Sequence, residues 1–168
     1  LAENFYNQGK YKLSTKIYKS VKSIGPIYDW YASINLAMIL LETSNKTQSI
    51  ASLEKEFNLL LNPNFEHHYE LANFYKNNEY YQESIKHYSL ALKNIYKGHY
   101  LIPKILDRRG TSYERLGEWK KAEKDLTKSL EILPDQPHVL NYLAYSWIEK
   151  KINIKKSLEM LELATELR

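Results

Sequence analysis

The hydrophobic residues of this chain recur every three or four positions over most of its length, which is the spacing of one face of an α-helix. The clearest example lies on either side of Gly117, where two stripes occur: Leu106, Gly110 and Tyr113, then Ala122, Leu126, Ser129 and Leu130. Pro103 suits the first turn of a helix, and Pro134 cannot continue one. The pattern therefore predicts a helix over Pro103–Leu116, a turn at Gly117 and a second helix over Glu118–Leu133.

The same order of small and aromatic residues occurs earlier in the chain. It consists there of Ala72, Tyr75, Tyr81, Ser84, Tyr88 and Ala91. This order predicts helices over Asn64–Asn77 and Tyr80–Ile95. Units of about 34 residues that repeat in this way are typical of stacked helix pairs. To keep the units in register, we expect about four inserted residues near Tyr96–His99 and one near Lys151–Ile154.

The repeat divides the chain into five predicted units of a single domain: 1–26, 27–63, 64–98, 99–136 and 137–168. The second unit is degenerate, but it retains two helical stripes: Trp30, Ile34, Ala37 and Leu41, then Ile50, Leu53, Phe57 and Leu60. The last unit carries a stripe without a following unit to cover it: Leu158, Leu161, Ala164 and Leu167. Leu1 falls inside a helical pattern, and Arg168 precedes the position of a closing proline. We therefore expect a fragment of a longer protein.

The spacing resembles the tetratricopeptide repeat, whose pattern is W-x2-L-G-x2-Y, then A-x3-F, then P. Arg109 and Gly110 stand at the L-G position, and Ala122 and Leu126 stand at the A-x3-F position. The resemblance implies an all-α fold, a right-handed superhelical solenoid of antiparallel helix pairs with about five repeats. The first helix of each pair would line the concave face, and the second would lie on the convex face. The C-terminal part is similar to tetratricopeptide repeat proteins of alphaproteobacteria, which favours the periplasm or cell envelope over the cytoplasm.

The composition and motifs point away from catalysis. The chain has 168 residues, no cysteine and a formal net charge of +4, so disulfides and thiolate metal sites are excluded. The sequence patterns of serine hydrolases, phosphate-binding loops and dinucleotide-binding folds do not occur. The five histidines do not form the i, i+4 pair of a helical zinc site, and we interpret them as surface or groove residues. We expect a protein that is not an enzyme and holds neither a metal nor a cofactor.

The sequence also argues against a nucleic-acid partner and against a membrane span. The lysines do not form a stripe interleaved with stacking aromatic residues, so we expect no nucleic acid. The longest apolar run, Ile34–Leu41, is far shorter than the roughly 18 residues of a membrane span.

The concave face is the predicted site for a protein or peptide partner. The resemblance places these candidate residues on it: Tyr69, Glu70, Asn73, Lys104, Arg108, Thr111, Arg115, Asn141, Tyr142 and Tyr145. Asparagine amides pair with a peptide backbone, arginine binds carboxylates, and tyrosine gives contact area at low entropic cost. Three alternatives remain open: self-association into a homo-oligomer through the solenoid ends, the scaffold region of a larger enzyme whose catalytic domain is absent, and solvated helix faces without a binding role.

One subset of the family binds a C-terminal carboxylate with lysine, asparagine and arginine side chains from three repeats. Lys104 and Arg108 match the third-repeat pair of that clamp. Glu70 stands where the clamp has asparagine, and Ile34 and Met38 stand where it needs lysine and asparagine. The resemblance therefore implies that the complete clamp is absent. It still allows an anionic group of a partner to bind near Arg108.

Overall fold

The computed structural model describes residues 1–167, and Arg168 lies outside the described residues. The described range forms ten α-helices and no strand: α1 Ala2–Asn7, α2 Tyr11–Lys22, α3 Pro26–Thr43, α4 Lys46–Asn58, α5 Phe65–Asn77, α6 Tyr81–Asn94, α7 Ile102–Arg115, α8 Trp119–Ile132, α9 Pro137–Glu149 and α10 Ile154–Glu166. The helices predicted from the spacing are present, with ends that differ by about one residue. Within residues 1–167, no helix is both long and apolar enough to cross a membrane.

The helices pack in sequential pairs, and each pair packs on its neighbours. The contacts join α1 with α2, α3 with α4, α5 with α6, α7 with α8, and α9 with α10. The first helix of a pair also contacts the second helix of the preceding pair, as α7 contacts α6 and α3 contacts α2. The result is the all-α solenoid that the sequence predicts.

Small residues mark the point where the two helices of each pair cross. On the first helices these residues are Ala2, Ala37, Ala72, Gly110 and Ala144, and all are buried. On the second helices they are Ser14, Ser49, Ser84, Ala122 and Ser157, and all are fully buried. A Cβ atom added to Gly110 would lie 3.0 Å from Leu126 Cγ and 3.2 Å from the Ala122 carbonyl oxygen. The crossing is therefore too close for any larger residue at Gly110 unless the helices move apart.

Two of the buried serines at these crossings use their hydroxyl groups to join the helices of a pair. Ser14 donates to the carbonyl oxygen of Ala2 at 2.9 Å, and Ser49 donates to that of Ala37 at 2.5 Å. A buried hydroxyl without a partner is costly, so these bonds explain why serine is tolerated where the repeat pattern has alanine.

A left-handed residue ends the first helix in four of the five pairs. Gly9, Glu79, Gly117 and Lys151 have positive φ. In the clearest of these turns, the N–H of Glu118 donates to the Tyr113 carbonyl at 2.9 Å, which is the six-residue closure of a Schellman cap. The prediction that Gly117 makes the turn is confirmed.

The second unit has a normal core although its signature residues are degenerate. Its eight predicted stripe residues all belong to one hydrophobic cluster: Trp30, Ile34, Ala37, Leu41, Ile50, Leu53, Phe57 and Leu60.

The apolar stripe that was predicted to be uncovered on the last helix is partly buried in the structure. Ala164 is fully buried and joins the core around α9, whereas Leu158 and Leu167 are exposed. The uncovered part of α10 is therefore smaller than the sequence indicates.

Candidate functional site

The first helices of successive pairs form one continuous face. α5 contacts both α3 and α7 directly, whereas the second helices of neighbouring pairs are less closely packed on one another within residues 1–167. These first helices therefore lie side by side on the face that the repeat pattern predicts to be concave. We call the surface formed by α3, α5, α7 and α9 the inner groove.

Polar side chains join these helices across the inner groove. Among the described residues, three hydrogen bonds do so, one between each neighbouring pair of α3, α5, α7 and α9: Trp30 Nε1 to Glu70 at 2.6 Å, Arg108 to the side-chain oxygen of Asn73, and Tyr142 Oη to Glu114 at 2.7 Å. Four of the residues predicted to bind a partner, Glu70, Asn73, Arg108 and Tyr142, are thus already engaged within the protein. Their bonds fix the spacing of the helices, so the groove is formed before any partner arrives.

Asn73 is the most heavily engaged of the four. Its side-chain oxygen accepts hydrogen bonds from the Tyr88 hydroxyl at 2.7 Å and from Arg108. The guanidinium of Arg108 also lies over the ring of Tyr69, 5.6 Å from its centroid. The amide oxygen of Asn73 is therefore already occupied and not free for a peptide backbone. Its amide nitrogen donates to no acceptor among the described residues.

The other predicted residues are more accessible. Tyr145 is 60% exposed, and Lys104 and Arg115 are also exposed. Asn141 is half-buried, and the Thr111 hydroxyl donates to the Asp107 carbonyl of its own helix at 2.9 Å. Lys104, Arg115 and Tyr145 are therefore the candidates whose side chains are available to a partner.

A carboxylate lies among the cations of the inner groove. Burial raises the pKa of Asp107, while nearby His138, Lys76, Arg108 and Lys104 oppose that shift. The Nε2 atom of His138 is 3.4 Å from Asp107 Oδ1. Burial, with Arg108 close by, also lowers the pKa of Lys76. Positive charge is nevertheless in excess along α7, because Lys104, Arg108 and Arg115 outnumber Asp107 and Glu114.

A cleft of about 670 Å³ opens at the other end of the inner groove, and we call it the α3–α5 cleft. Its lining includes Trp30, Tyr31, Glu66, Tyr69 and Glu70. Burial raises the pKa of Glu70, and the hydrogen bond from Trp30 opposes that shift. Sequence reasoning placed Trp30 in the core and predicted neither the cleft nor the position of Tyr31 in it. The available signal was the i, i+4 spacing of Glu66 and Glu70, which puts both carboxylates on one face of α5.

The histidines correct the sequence interpretation. They were predicted to be surface or groove residues, but His68, His87 and His99 are buried. The Nδ1 atoms of His68 and His87 are 3.0 Å apart, so one ring donates while the other accepts. Both rings pack against Phe57 at 5.2 Å. Within residues 1–167, no group of three or more side chains is arranged to hold a metal ion.

Comparisons with known proteins agree with this architecture. The Tetratricopeptide repeat family model matches residues 103–136. A crystal structure of MamA has a TM-score of 0.73 at 17% identity, covering 99% of this chain and 94% of that one. MamA 41-end from Desulfovibrio magneticus RS-1 has a TM-score of 0.74 at 12% identity, with 99% and 90% covered. Cut9–Hcn1, an APC/C hetero-tetramer, has a TM-score of 0.70 at 17% identity, with 99% and 32% covered.

A curated relative is much longer than this chain. It is the UDP-N-acetylglucosamine–peptide N-acetylglucosaminyltransferase of Giardia intestinalis, 31% identical over 112 residues. The match covers 64% of this chain but only 7% of that enzyme.

Residues 103–136 match the tetratricopeptide repeat model, and the chain has the fold of a tetratricopeptide repeat solenoid.

Proposed function

We propose that this tetratricopeptide repeat solenoid is a non-catalytic scaffold whose inner groove binds an extended segment of a protein partner. One observation carries the proposal. On the first helices, residues that are buried in the helix contacts alternate with exposed residues that remain available to a partner. On α7, for example, Leu106 and Gly110 are buried in the helix contacts, whereas Lys104 and Arg115 are exposed.

The chemistry of the exposed set suits protein recognition. Tyrosine and arginine are enriched at the centres of protein interfaces, because they combine large contact area with directional hydrogen bonds. Tyr145 and Arg115 provide these groups on neighbouring first helices, and Lys104 adds a charge on the same side. Since cross-helix bonds such as Tyr142 to Glu114 already hold the helices in place, little ordering is required on binding.

Site-specific photo-crosslinking in the source cell tests the proposal. A benzoylphenylalanine residue is placed at Tyr145 or Lys104 in the inner groove, and at Lys124 or Lys155 on the second helices as matched controls. All four positions are exposed. We expect both inner positions to crosslink to the same protein and the two outer positions not to do so. Equal crosslinking from inner and outer positions would show that the inner groove is not the binding surface.

Self-association is a second candidate, supported by apolar side chains on the last helix. Leu158, Leu163 and Leu167 on α10 are 53%, 38% and 38% exposed. Light scattering over a range of concentrations tests it: a dimer that becomes monomeric in Leu158→Lys supports self-association, and a strict monomer at every concentration rejects it.

A third candidate is that the chain forms the scaffold region of a larger enzyme. Its support is the similarity to a glycosyltransferase that is far longer than this chain. The gene sequence on either side of these residues tests it, because a catalytic domain there would establish this arrangement. The same flanking sequence tests the proposed periplasmic or envelope location, for which a signal peptide is expected.

A further inference from the structure

The inner groove changes the sign of its charge along its length. The α3–α5 cleft is lined by the carboxyl groups of Glu66 and Glu70 and by His67, and neither a lysine nor an arginine lines it. One helix further on, α7 presents Lys104, Arg108 and Arg115. A partner of uniform charge would be repelled at one end, so the groove favours a segment that carries both signs in a fixed order.

Among the described residues, the two carboxylates of the cleft pair with neither a lysine nor an arginine. Glu66 and Glu70 are four residues apart on α5, where like charges repel each other. Burial raises the pKa of Glu70, and the nearby carboxylate of Glu66 adds to that shift. Among the described residues, neither carboxylate forms an ion pair with a lysine, an arginine or a histidine, although such pairs occur elsewhere, as between Arg109 and Asp125. Glu70 accepts a hydrogen bond from the neutral indole of Trp30.

Aromatic side chains line the cleft beside these carboxylates. Tyr31 is 51% exposed and Tyr69 is half-buried, and both line the cleft. Cations of the chain lie over several of its aromatic rings: Lys150 lies 4.8 Å from the ring centre of Trp119, Lys156 lies 5.4 Å from that of Trp147, and Arg108 lies 5.6 Å from that of Tyr69. Within the described residues, Tyr31 and Trp30 have no such cation.

We infer that the α3–α5 cleft is the subsite for an arginine side chain of the segment that the inner groove binds, with acidic residues of the same segment lying over α7. The inference rests on the proposed function and specifies its partner. A guanidinium is planar, pairs with carboxylates and stacks on aromatic rings, so it satisfies both features of the cleft at once. Lysine offers a point charge and matches the aromatic walls less well.

A small model of an arginine residue tests the cleft directly. The probe is N-acetyl-arginine methylamide, and its neutral control is N-acetyl-citrulline methylamide, which has nearly the same shape. The readout is the indole N–H resonance of Trp30 in a ¹H–¹⁵N spectrum, because this N–H donates to Glu70. The other two tryptophans, Trp119 and Trp147, serve as internal references. We expect the Trp30 resonance to shift saturably with the arginine compound and at least fivefold less with the citrulline compound at equal concentration.

Charge-removing variants complete the test. Glu66→Gln removes an exposed charge, and Glu70→Gln keeps an oxygen that accepts from Trp30, so both should fold. Glu162→Gln, at an exposed position on α10, is the matched control. We expect several-fold weaker binding of the arginine compound in either cleft variant and unchanged binding in the control. Equal shifts with both compounds, no shift at tens of millimolar, or unchanged binding in the cleft variants would overturn the inference.

The outcomes for the cleft and for the groove are distinguishable. If crosslinking from Tyr145 and Lys104 identifies a partner whose binding is unchanged in Glu66→Gln, the proposed function stands and the arginine subsite is wrong. If the arginine compound binds at Trp30 but the inner positions capture no common partner, the subsite stands and the proposed function is wrong.

Discussion

Arg109 forms a bidentate ion pair with Asp125, with Nε–Oδ2 and Nη2–Oδ1 distances of 2.6 and 2.8 Å, between the two helices of the fourth unit. Arg109 stands where the repeat pattern has leucine, and its Nη1 atom also donates to Ser89 of the preceding unit at 3.0 Å. The Asp125 side chain is 7% exposed and that of Arg109 is 19% exposed. A charged pair thus replaces an apolar contact and joins two consecutive units.

Replacing Asp125 by asparagine should destabilise the protein by about 3 kcal/mol. Asp125→Asn removes the negative charge but keeps the shape, so the largely buried guanidinium of Arg109 loses its counter-ion. Urea denaturation followed by far-ultraviolet circular dichroism measures the change. Lys124→Gln, at the neighbouring exposed position, should change the free energy of unfolding by less than about 0.5 kcal/mol. Equal effects of the two substitutions would mean that the ion pair adds nothing to stability.

Replacing Gly110 by alanine should destabilise the protein, although alanine is the better helix former. In an unconstrained helix this change is favourable by about 1 kcal/mol. Here the new Cβ atom would lie 3.2 Å from the Ala122 carbonyl oxygen, and this backbone atom cannot move without shifting α8. We expect a net loss of about 1–3 kcal/mol, as for an overpacked core. The midpoint of thermal unfolding measures it, with Thr111→Ala on the same helix as control; a higher midpoint for Gly110→Ala would contradict the close crossing.

The sequence predicts most of the fold because the repeat is encoded locally. The positions of Gly110, Ala122 and Gly117 define the crossing and the turn through short spacings, and the structure places all three as expected. The partners of Arg109 could not be predicted in this way. Asp125 is an ordinary polar residue by spacing, and its burial depends on how α7 and α8 pack.

The contacts made by the predicted groove residues could not be derived from the sequence. The family pattern indicates which residues of the first helices face it, and the predicted side chains are exposed or half-buried in the structure. Asn73 was expected to bind a peptide backbone, yet its partners Tyr88 and Arg108 lie 15 and 35 residues away in sequence. Such long-range bonds leave no mark on local spacing. For the same reason, sequence alone did not indicate which of the adjacent His67 and His68 is buried.

The bond between Tyr88 and Asn73 should show strong coupling in a double-mutant cycle. Tyr88→Phe removes the hydroxyl and should cost about 1 kcal/mol, because the side chain is fully buried and its bond is made. Asn73→Ala should cost about 1–3 kcal/mol, since it leaves that hydroxyl buried without an acceptor. In the Asn73→Ala background, Tyr88→Phe should then be neutral or stabilising. Urea denaturation of the four proteins measures the coupling, and additive effects would show that the hydrogen bond is not formed in solution.

The His68–His87 pair should make the protein lose stability as the pH falls from 6.5 to 4. Burial, with His68 and Lys86 adding to it, lowers the pKa of His87 from 6.5 to about 4, and burial also lowers the pKa of His68. Between these pH values the unfolded chain binds protons that the folded protein excludes, so unfolding becomes more favourable with each unit of acidification. For His87 the free energy of unfolding changes by at most about 1.4 kcal/mol per pH unit. The stability that depends on a neutral His87 is fully present above pH 6.5.

Carboxylates also titrate at the lower end of this pH range. The effect of the two histidines is therefore separated from theirs by a variant that lacks both histidines. The double variant His68→Leu/His87→Leu replaces both partners by apolar side chains of similar volume, which removes the mutual hydrogen bond without leaving one ring unpaired. Its free energy of unfolding should depend less on pH between 7.5 and 5 than that of the unmodified protein. Gln82→Leu, at an exposed position on α6, changes no titratable group and should leave the slope unchanged. The two histidines would be shown not to be buried in the neutral state if the double variant kept the full slope.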